Sequence, residues 1–356
     1  MANKNLNNAN KAKKDEFYTN LTDIEDEVFL YKSQFAGKTI FCNCDDPFES
    51  NFFFYFAMQF NFFKLKKLIA SSYAGSPIAY NLFEPTDETK IKPAYMVELN
   101  EIKNTDGRDN FDFDDIKRIL NDLKSKIADG AATDGKNKLS ILKGDGHYAA
   151  GDFRSKECVA LLKQSDIVVT NPPFSLFREF VAQLVDYDKK FLMIGNLNNI
   201  KYKDILPLFM RNKIWLGYNS GHLWFKVPAS YEEKATDFKI DTNGQKWRRM
   251  GNIGWFTNLD VKKRHEEFMS YKNYNPQDFP KYDNYDAIEV SKTADIPKDY
   301  NGIMGVPITF MDKYNPDQFE ILGVLNSGSG NEYDYAKAIL YGKQLYARIL
   351  IRRRIK

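Results

Sequence analysis

Short apolar runs alternate along this chain with longer stretches in which apolar residues return every third or fourth position. Residues 39–44 (TIFCNC), 65–71, 167–170 (IVVT) and 190–195 are apolar and rich in β-formers, and each reads as a buried strand. Between them lie helical repeats. Residues 48–64 carry Phe52, Phe53, Phe56, Phe60 and Phe63 at helical spacing. Asp46 is placed as the N-cap of that helix, Pro47 as its first residue and Glu49 as the partner in a capping box. Residues 114–128 bring Ile116, Ile119, Leu120, Leu123 and Ile127 to one face, and residues 175–187 do the same with Leu176, Phe177, Phe180, Val181, Leu184 and Val185. Further strands are expected at 213–217, 222–227 and 253–259, with shorter apolar runs at 305–311 and 319–325. Strand–helix–strand alternation on this scale predicts a doubly wound, mostly parallel α/β sheet.

The remaining segments are less regular. Residues 1–14 are Asn- and Lys-rich without an apolar stretch, and read as a disordered tail rather than a secretory signal. Residues 75–138 form a candidate insertion, in which 94–102 alternates like an exposed strand and 129–138 is a polar loop. Beyond about residue 264 the chain turns Tyr-, Asp- and Pro-rich. The expected organisation is a catalytic domain over 15–264 and a second region over 265–356.

Composition narrows the class. The chain has 356 residues, 43% hydrophobic and 28% charged, which excludes a disordered or collagen-like polymer. No apolar run reaches the roughly 18 residues that a membrane helix needs. Three cysteines, Cys42, Cys44 and Cys158, argue for a reducing, cytoplasmic setting over a disulfide framework. No Cys/His cluster has zinc spacing, so no metal is expected. The net charge of +3 is too small to announce nucleic acid by itself.

Candidate chemistry is concentrated in Asp166 to Phe174, DIVVTNPPF. A buried strand delivers Asn171, Pro172, Pro173 and Phe174 at its carboxyl end, where open α/β sheets bind ligands. Two prolines remove two N–H donors and leave acceptors: the Asn171 amide oxygen and the Pro172 carbonyl. That pair suits a planar NH2 with two hydrogens to give, and Phe174 offers a flat face for its ring. Accepting both hydrogens localises the lone pair of an exocyclic amine, so that it can attack an electrophilic methyl without a general base. The bland reading is an Asn cap on a proline-rich strand-to-helix turn.

Four stretches together resemble one family. They are Glu16 to Thr19 (EFYT), Cys42 to Asn51 (CNCDDPFESN), Gly151 to Glu157 with the run into NPPFSLFREF, and Gly305 to Tyr314 (GVPITFMDKY). The chain is similar to the N6-adenine DNA methyltransferases, specifically the EcoRI-type modification methylases. NPPF alone is shared with methyltransferases of RNA and of protein glutamine, whereas the CNCDDP stretch is far more particular. The resemblance implies a doubly wound methyltransferase fold, S-adenosylmethionine as cofactor and double-stranded DNA as partner. It implies that Asn171, Pro172 and Phe174 hold the target adenine. It assigns Tyr18, Thr19, Asp45, Asp46, Pro47, Asp152 and Phe153 to the cofactor, with Asp152 accepting from its adenine amine and Phe153 packing on that ring. The helix after Pro47 would face the cofactor carboxylate. Two departures stand out. No glycine-rich loop follows the first strand, and Ser71, Ser72 and Tyr73 occupy the place where an acid often binds the ribose. Taken without the resemblance, Asp46 is a helix cap, Asp45 an exposed acid, Asp152 a loop acid and Tyr18 the packing of an N-terminal arm.

Chemistry on N6 inside a duplex requires the base to be flipped out, at a cost of a few kcal/mol repaid by phosphate and groove contacts. Three basic clusters are candidates for those contacts: Arg248 and Arg249, Lys262 and Lys263, and Arg352, Arg353 and Arg354. The expected activity is site-specific adenine-N6 methylation of DNA by a monomer, beside a cognate restriction endonuclease or as a solitary or phage enzyme. The alternatives are methylation of RNA adenine or of a protein amide.

Overall fold

The computed structural model describes residues 18–73, 94–103, 111–128, 136–221, 223–227, 231–328 and 332–354. The tail 1–14, Glu16 and Phe17, all of 75–93, the loop 129–135 and His222 lie outside the described residues, as do the side chains of Tyr18 and Ile127. The chain divides into two compact units, Met1–Gly195 with Gly221–Ile253, and Asn196–Ser220 with Gly254–Lys356.

The first unit is built on β2 (Thr39–Asn43), β3 (Lys67–Ser71), β6 (Ile167–Thr170) and β7 (Lys190–Asn196). These strands lie in the order β3-β2-β6-β7 and run parallel. All five residues of β2 and all four of β6 are buried, as fits parallel strands covered on both faces. The helices around them are α1 (Leu21–Val28), α2 (Asn51–Met58), α3 (Phe113–Ala128), α4 (Lys156–Gln164) and α5 (Phe177–Asp186). Phe52, Phe53, Phe56, Phe60 and Phe63 are buried, and Phe54 stacks on Phe113 of α3 with ring centres 4.1 Å apart. The aromatic run is therefore core. This mixed α/β unit with its parallel central strands fits a methyltransferase fold.

Several expectations are corrected. Residues 94–102 form β4 (Tyr95–Leu99), which is buried rather than exposed and pairs antiparallel with β3. On its other side it pairs antiparallel with β5 (Lys138–Ile141), so this half of the sheet is not parallel. Alternation in a sequence reports a two-residue period but not what covers the second face. The helix expected over 48–64 spans only Asn51–Met58, and its N-cap is Ser50, whose hydroxyl accepts from the Phe52 amide. Glu49 completes no capping box there, because its amide is used in a turn on the Asp46 carbonyl, 3.0 Å away.

A second, smaller sheet in this unit contains β1 (Tyr18–Thr19), β9 (Leu223–Lys226), β10 (Phe238–Ile240) and β11 (Lys246–Met250) in the order β1-β9-β11-β10, all antiparallel. In the second unit, β8 (Trp215–Ser220) and β12 (Ile253–Thr257) pair antiparallel. That unit also contains β13 (Ile288–Glu289), β14 (Met304–Pro307), β15 (Phe319–Leu325), β16 (Asp334–Ala336), β17 (Ile339–Leu340), β18 (Lys343–Gln344) and β19 (Arg348–Arg353). The order β13-β14-β19-β15-β16 forms its main sheet. A polar group is locked into this unit: Arg348 donates to the 3%-exposed Glu289, which also accepts from the Tyr282 hydroxyl. Among the described residues no helix is long and apolar enough to cross a membrane.

Candidate active site

β2, β3 and β6 end side by side, and the residues just past their carboxyl ends are bonded to one another. The Thr170 hydroxyl reaches both the Asn43 carbonyl and the Asp45 carboxylate. The Ser71 hydroxyl donates to Asn43 Oδ1 at 3.4 Å. The Ser50 hydroxyl donates to Asp45 Oδ1 at 2.7 Å, so the residue that caps α2 also fixes Asp45. Between β2 and this loop, Cys44 adopts φ +91°, a conformation that favours glycine. Holding a cysteine in this conformation costs roughly 1–3 kcal/mol.

Asp45 and Asp46 are each 6% exposed, so neither is a surface acid. Asp46 Oδ1 accepts from the Phe48 amide at 2.9 Å and from the Tyr95 hydroxyl of β4. Its other oxygen, Oδ2, is buried without a hydrogen-bond partner. Burial pushes the Asp46 carboxyl up to about 6; the bonds from Tyr95 and Phe48 oppose that rise and the nearby Glu49 adds to it. The Asn43 amide nitrogen and the Thr19 hydroxyl are likewise buried without partners. Thr19 joins this edge through its carbonyl, which accepts from Asn51 Nδ2 at 2.7 Å at the first turn of α2. An unmet buried polar group costs about 1–3 kcal/mol. An acceptor on Asp46, a donor on Asn43 and a hydroxyl on Thr19 are thus left unmet in buried positions.

Asn171 follows β6 directly and is half-buried. Pro172 is buried, and Phe174, half-buried, opens a short 3-10 turn into α5. Asn171 thus leaves the same edge as Asn43 and Asp45, with Thr170 as the link.

Gly151 carries the next motif to this edge. It has φ +76°, and a Cβ there would sit 1.9 Å from the Ser72 carbonyl oxygen just past β3. Only glycine permits that approach, which places Asp152 and Phe153 beside Ser72. Asp152 is held by a fork from Arg154, whose Nε and Nη2 donate at 2.9 and 2.8 Å to its two oxygens. Phe153 is 3% exposed and meets Phe180 edge-on at 5.0 Å. Its ring is part of the packing under α5.

The family model described as adenine-specific methyltransferase EcoRI matches residues 5–354. The chain belongs to that family. It is 44% identical over 354 residues to the Type II methyltransferase M.EcoRI of Escherichia coli, covering 98% of this chain and 96% of that protein. It is 38% identical over 328 residues to the Type II methyltransferase M.MgeORF184P of Mycoplasma genitalium, covering 90% and 86%. A third relative, the Type II methyltransferase M.MpnI of Mycoplasma pneumoniae, is 35% identical over 370 residues, covering 98% of each. No solved structure matches the chain. The protein is an adenine-specific DNA methyltransferase of the EcoRI type.

For this methyltransferase the basic clusters have structural tasks that their sequence does not announce. Arg248 donates to the Asp237 carbonyl at 3.0 Å, and Arg249 donates to the Asp237 carboxylate at 2.7 Å. In the second unit, Lys263 bonds Asp312 at 2.6 Å and the Tyr218 carbonyl at 2.8 Å. Arg352 pairs with Glu320 at 2.6 Å, Arg353 donates to the Pro297 carbonyl at 3.0 Å, and Arg354 donates to the Pro316 carbonyl at 2.7 Å. Lys262 is exposed at the start of a 3-10 turn. Tyr95 is the site residue that sequence reading misses. It belongs to a segment with no motif, and its contact with Asp46 spans 49 residues.

Proposed function

We propose that the enzyme flips an adenine out of a specific double-stranded DNA sequence and methylates its N6. The single observation carrying this reading is the delivery of Asn171-Pro172-Pro173-Phe174 by β6 to the edge where Thr170 bonds the Asn43–Asp45 turn. Asn171 Oδ1 and the Pro172 carbonyl accept the two N6 hydrogens and pull the nitrogen toward tetrahedral geometry. Phe174 covers the flat face of the base. As charge develops on nitrogen the two acceptors bind it more strongly, which is the kind of interaction that lowers a barrier. No general base is needed, because the proton leaves after transfer.

S-adenosylmethionine, when bound, supplies the electrophilic methyl group. The residues present fit it. The unmet Asp46 oxygen suits an ammonium, the unmet Asn43 amide suits a carboxylate, and Thr19 lies at the same edge. Pro47 stiffens the turn between Asp46 and α2. Asp45 is a positioning group, since both its oxygens meet hydroxyls of the chain. Asp152 keeps acceptor capacity beyond its Arg154 fork for an adenine amine, while the buried Phe153 walls that side. Tyr18 arrives with Thr19 on β1.

Residues 15–264 carry catalysis and 265–356 carry target recognition in this reading, with Lys262 reaching phosphate. The enzyme acts in the cytoplasm as a monomer, paired with a restriction endonuclease of the same site or as a solitary methylase. Expression in a bacterial strain without adenine methylases, followed by long-read mapping of N6-methyladenine, tests the reaction and gives the site. Methylation confined to one short motif is expected. Asn171→Ala is expected to lose about 10²–10³-fold in methylation rate with S-adenosylhomocysteine binding unchanged. Near-wild-type turnover by that variant would refute the mechanism.

A further inference from the structure

We infer that Tyr95 is a positioning residue of the cofactor site, fixing the Asp46 carboxylate so that one oxygen is kept for the ammonium group of the methyl donor. The inference rests on reading Asp46 as part of that site.

Tyr95 is 1% exposed on β4. Its backbone is clamped to Ser72, with the Tyr95 amide donating to Ser72 Oγ at 3.0 Å and the Ser72 amide donating to the Tyr95 carbonyl at 2.9 Å. Its ring meets Phe48 edge-on at 5.4 Å. The hydroxyl is thus held from two sides, and it donates to Asp46 Oδ1. The Phe48 amide donates to the same oxygen at 2.9 Å. Two donors converge on Oδ1 while Oδ2 stays buried with none. A fold that needed Asp46 only as a bracket between β2 and β4 would gain by satisfying both oxygens. Keeping one unmet makes the acid a receptor for a cation that arrives later. The donor carries two cations, the sulfonium and the α-ammonium, and only the ammonium has hydrogens to give to a carboxylate oxygen that lacks a donor. Tyr95 therefore decides which lone pairs of Asp46 face the ligand. Without its hydroxyl, Oδ1 retains only the Phe48 amide and the carboxylate is free to rotate.

The test compares two ligands by calorimetry on the full chain. S-adenosylhomocysteine has the amino-acid end, and 5′-methylthioadenosine lacks it. Tyr95→Phe removes one oxygen and keeps the packed ring. It is expected to weaken S-adenosylhomocysteine about tenfold and to leave 5′-methylthioadenosine within about twofold. In turnover it raises the KM for S-adenosylmethionine with kcat unchanged. Asp46→Asn is expected to show the same selectivity with a larger loss. If Tyr95→Phe loses both ligands equally, or keeps its affinity for S-adenosylhomocysteine, Tyr95 does not position Asp46 and the inference fails. If Asp46→Asn itself keeps S-adenosylhomocysteine affinity, the cofactor role of Asp46 fails, and the inference with it.

Discussion

Asp46 carries a charge that the folded chain alone does not satisfy. Its carboxyl is raised from 3.8 to about 6 because burial penalises the ionised form more than Tyr95 and Phe48 favour it. Glu49 adds to the rise, and the neighbouring Asp45 is bonded to Ser50 and Thr170. The native state therefore holds this proton more tightly than the unfolded chain does. The resulting stability is full below about pH 4 and lost as pH rises through about 6. Ligand binding runs the other way, since an ammonium favours the ionised form. Asp46→Asn is expected to melt no lower than wild type at pH 8, while wild type loses ground to it between pH 4 and 6. Wild-type affinity for S-adenosylhomocysteine should rise across the same window, and that of the variant should stay flat. Parallel melting curves for the two proteins across this window would contradict the assignment. At this scale NPPF was legible, because strand, prolines and aromatic are contiguous. The partner of Asp46 was not, because Tyr95 reaches it only through the pairing of β4 with β3.

Elements of the sheet were readable where one signal dominated. IVVT is a strand over the expected residues, Ile167–Thr170, and the apolar run FEILGVL is a strand over Phe319–Leu325. The helix after Pro47 was misplaced because Asp, Pro and Ser all offer plausible starts, and only tertiary bonds choose among them. Ser50 wins, since its hydroxyl both caps α2 and meets Asp45. The connection before α4 holds the sharpest local constraint. Gly151→Ala combines a positive φ with a Cβ placed on the Ser72 carbonyl. Gly146→Ala has φ +78° with nothing within 4 Å of its Cβ. The latter is expected to lose about 1 kcal/mol. Gly151→Ala is expected to lose roughly 2 kcal/mol or more, together with S-adenosylhomocysteine affinity, as Asp152 is pushed from Ser72. Equal melting temperatures for the two variants would show that the close approach is not strained.

For the whole molecule, the question is which cations remain for DNA. Arg353 stacks over Phe319 at 4.9 Å and donates to the Pro297 carbonyl, and burial lowers its pKa. It is committed to the second unit. Lys262 extends an exposed side chain. Lys262→Gln is expected to leave the melting temperature unchanged and reduce the slope of log affinity against log salt by about 1. Arg353→Gln is expected to lower the melting temperature and leave that slope unchanged. A slope change from Arg353→Gln without a thermal effect would reverse these assignments.

The sequence by itself determined the strand that carries NPPF, the parallel centre, the aromatic core and the family, because each is written in neighbouring residues or in the order of the motifs. Only the tertiary structure decided that Tyr95–Leu99 form an interior strand, that Cys44 takes a positive φ after β2, that the arginines of the basic clusters have partners within the chain, and that Asp46 is held by Tyr95. The physical reason is range. Periodicity and capping are set within a turn or a strand, whereas burial, unmet lone pairs and ion-pair partners depend on atoms that only the packing of distant segments brings together.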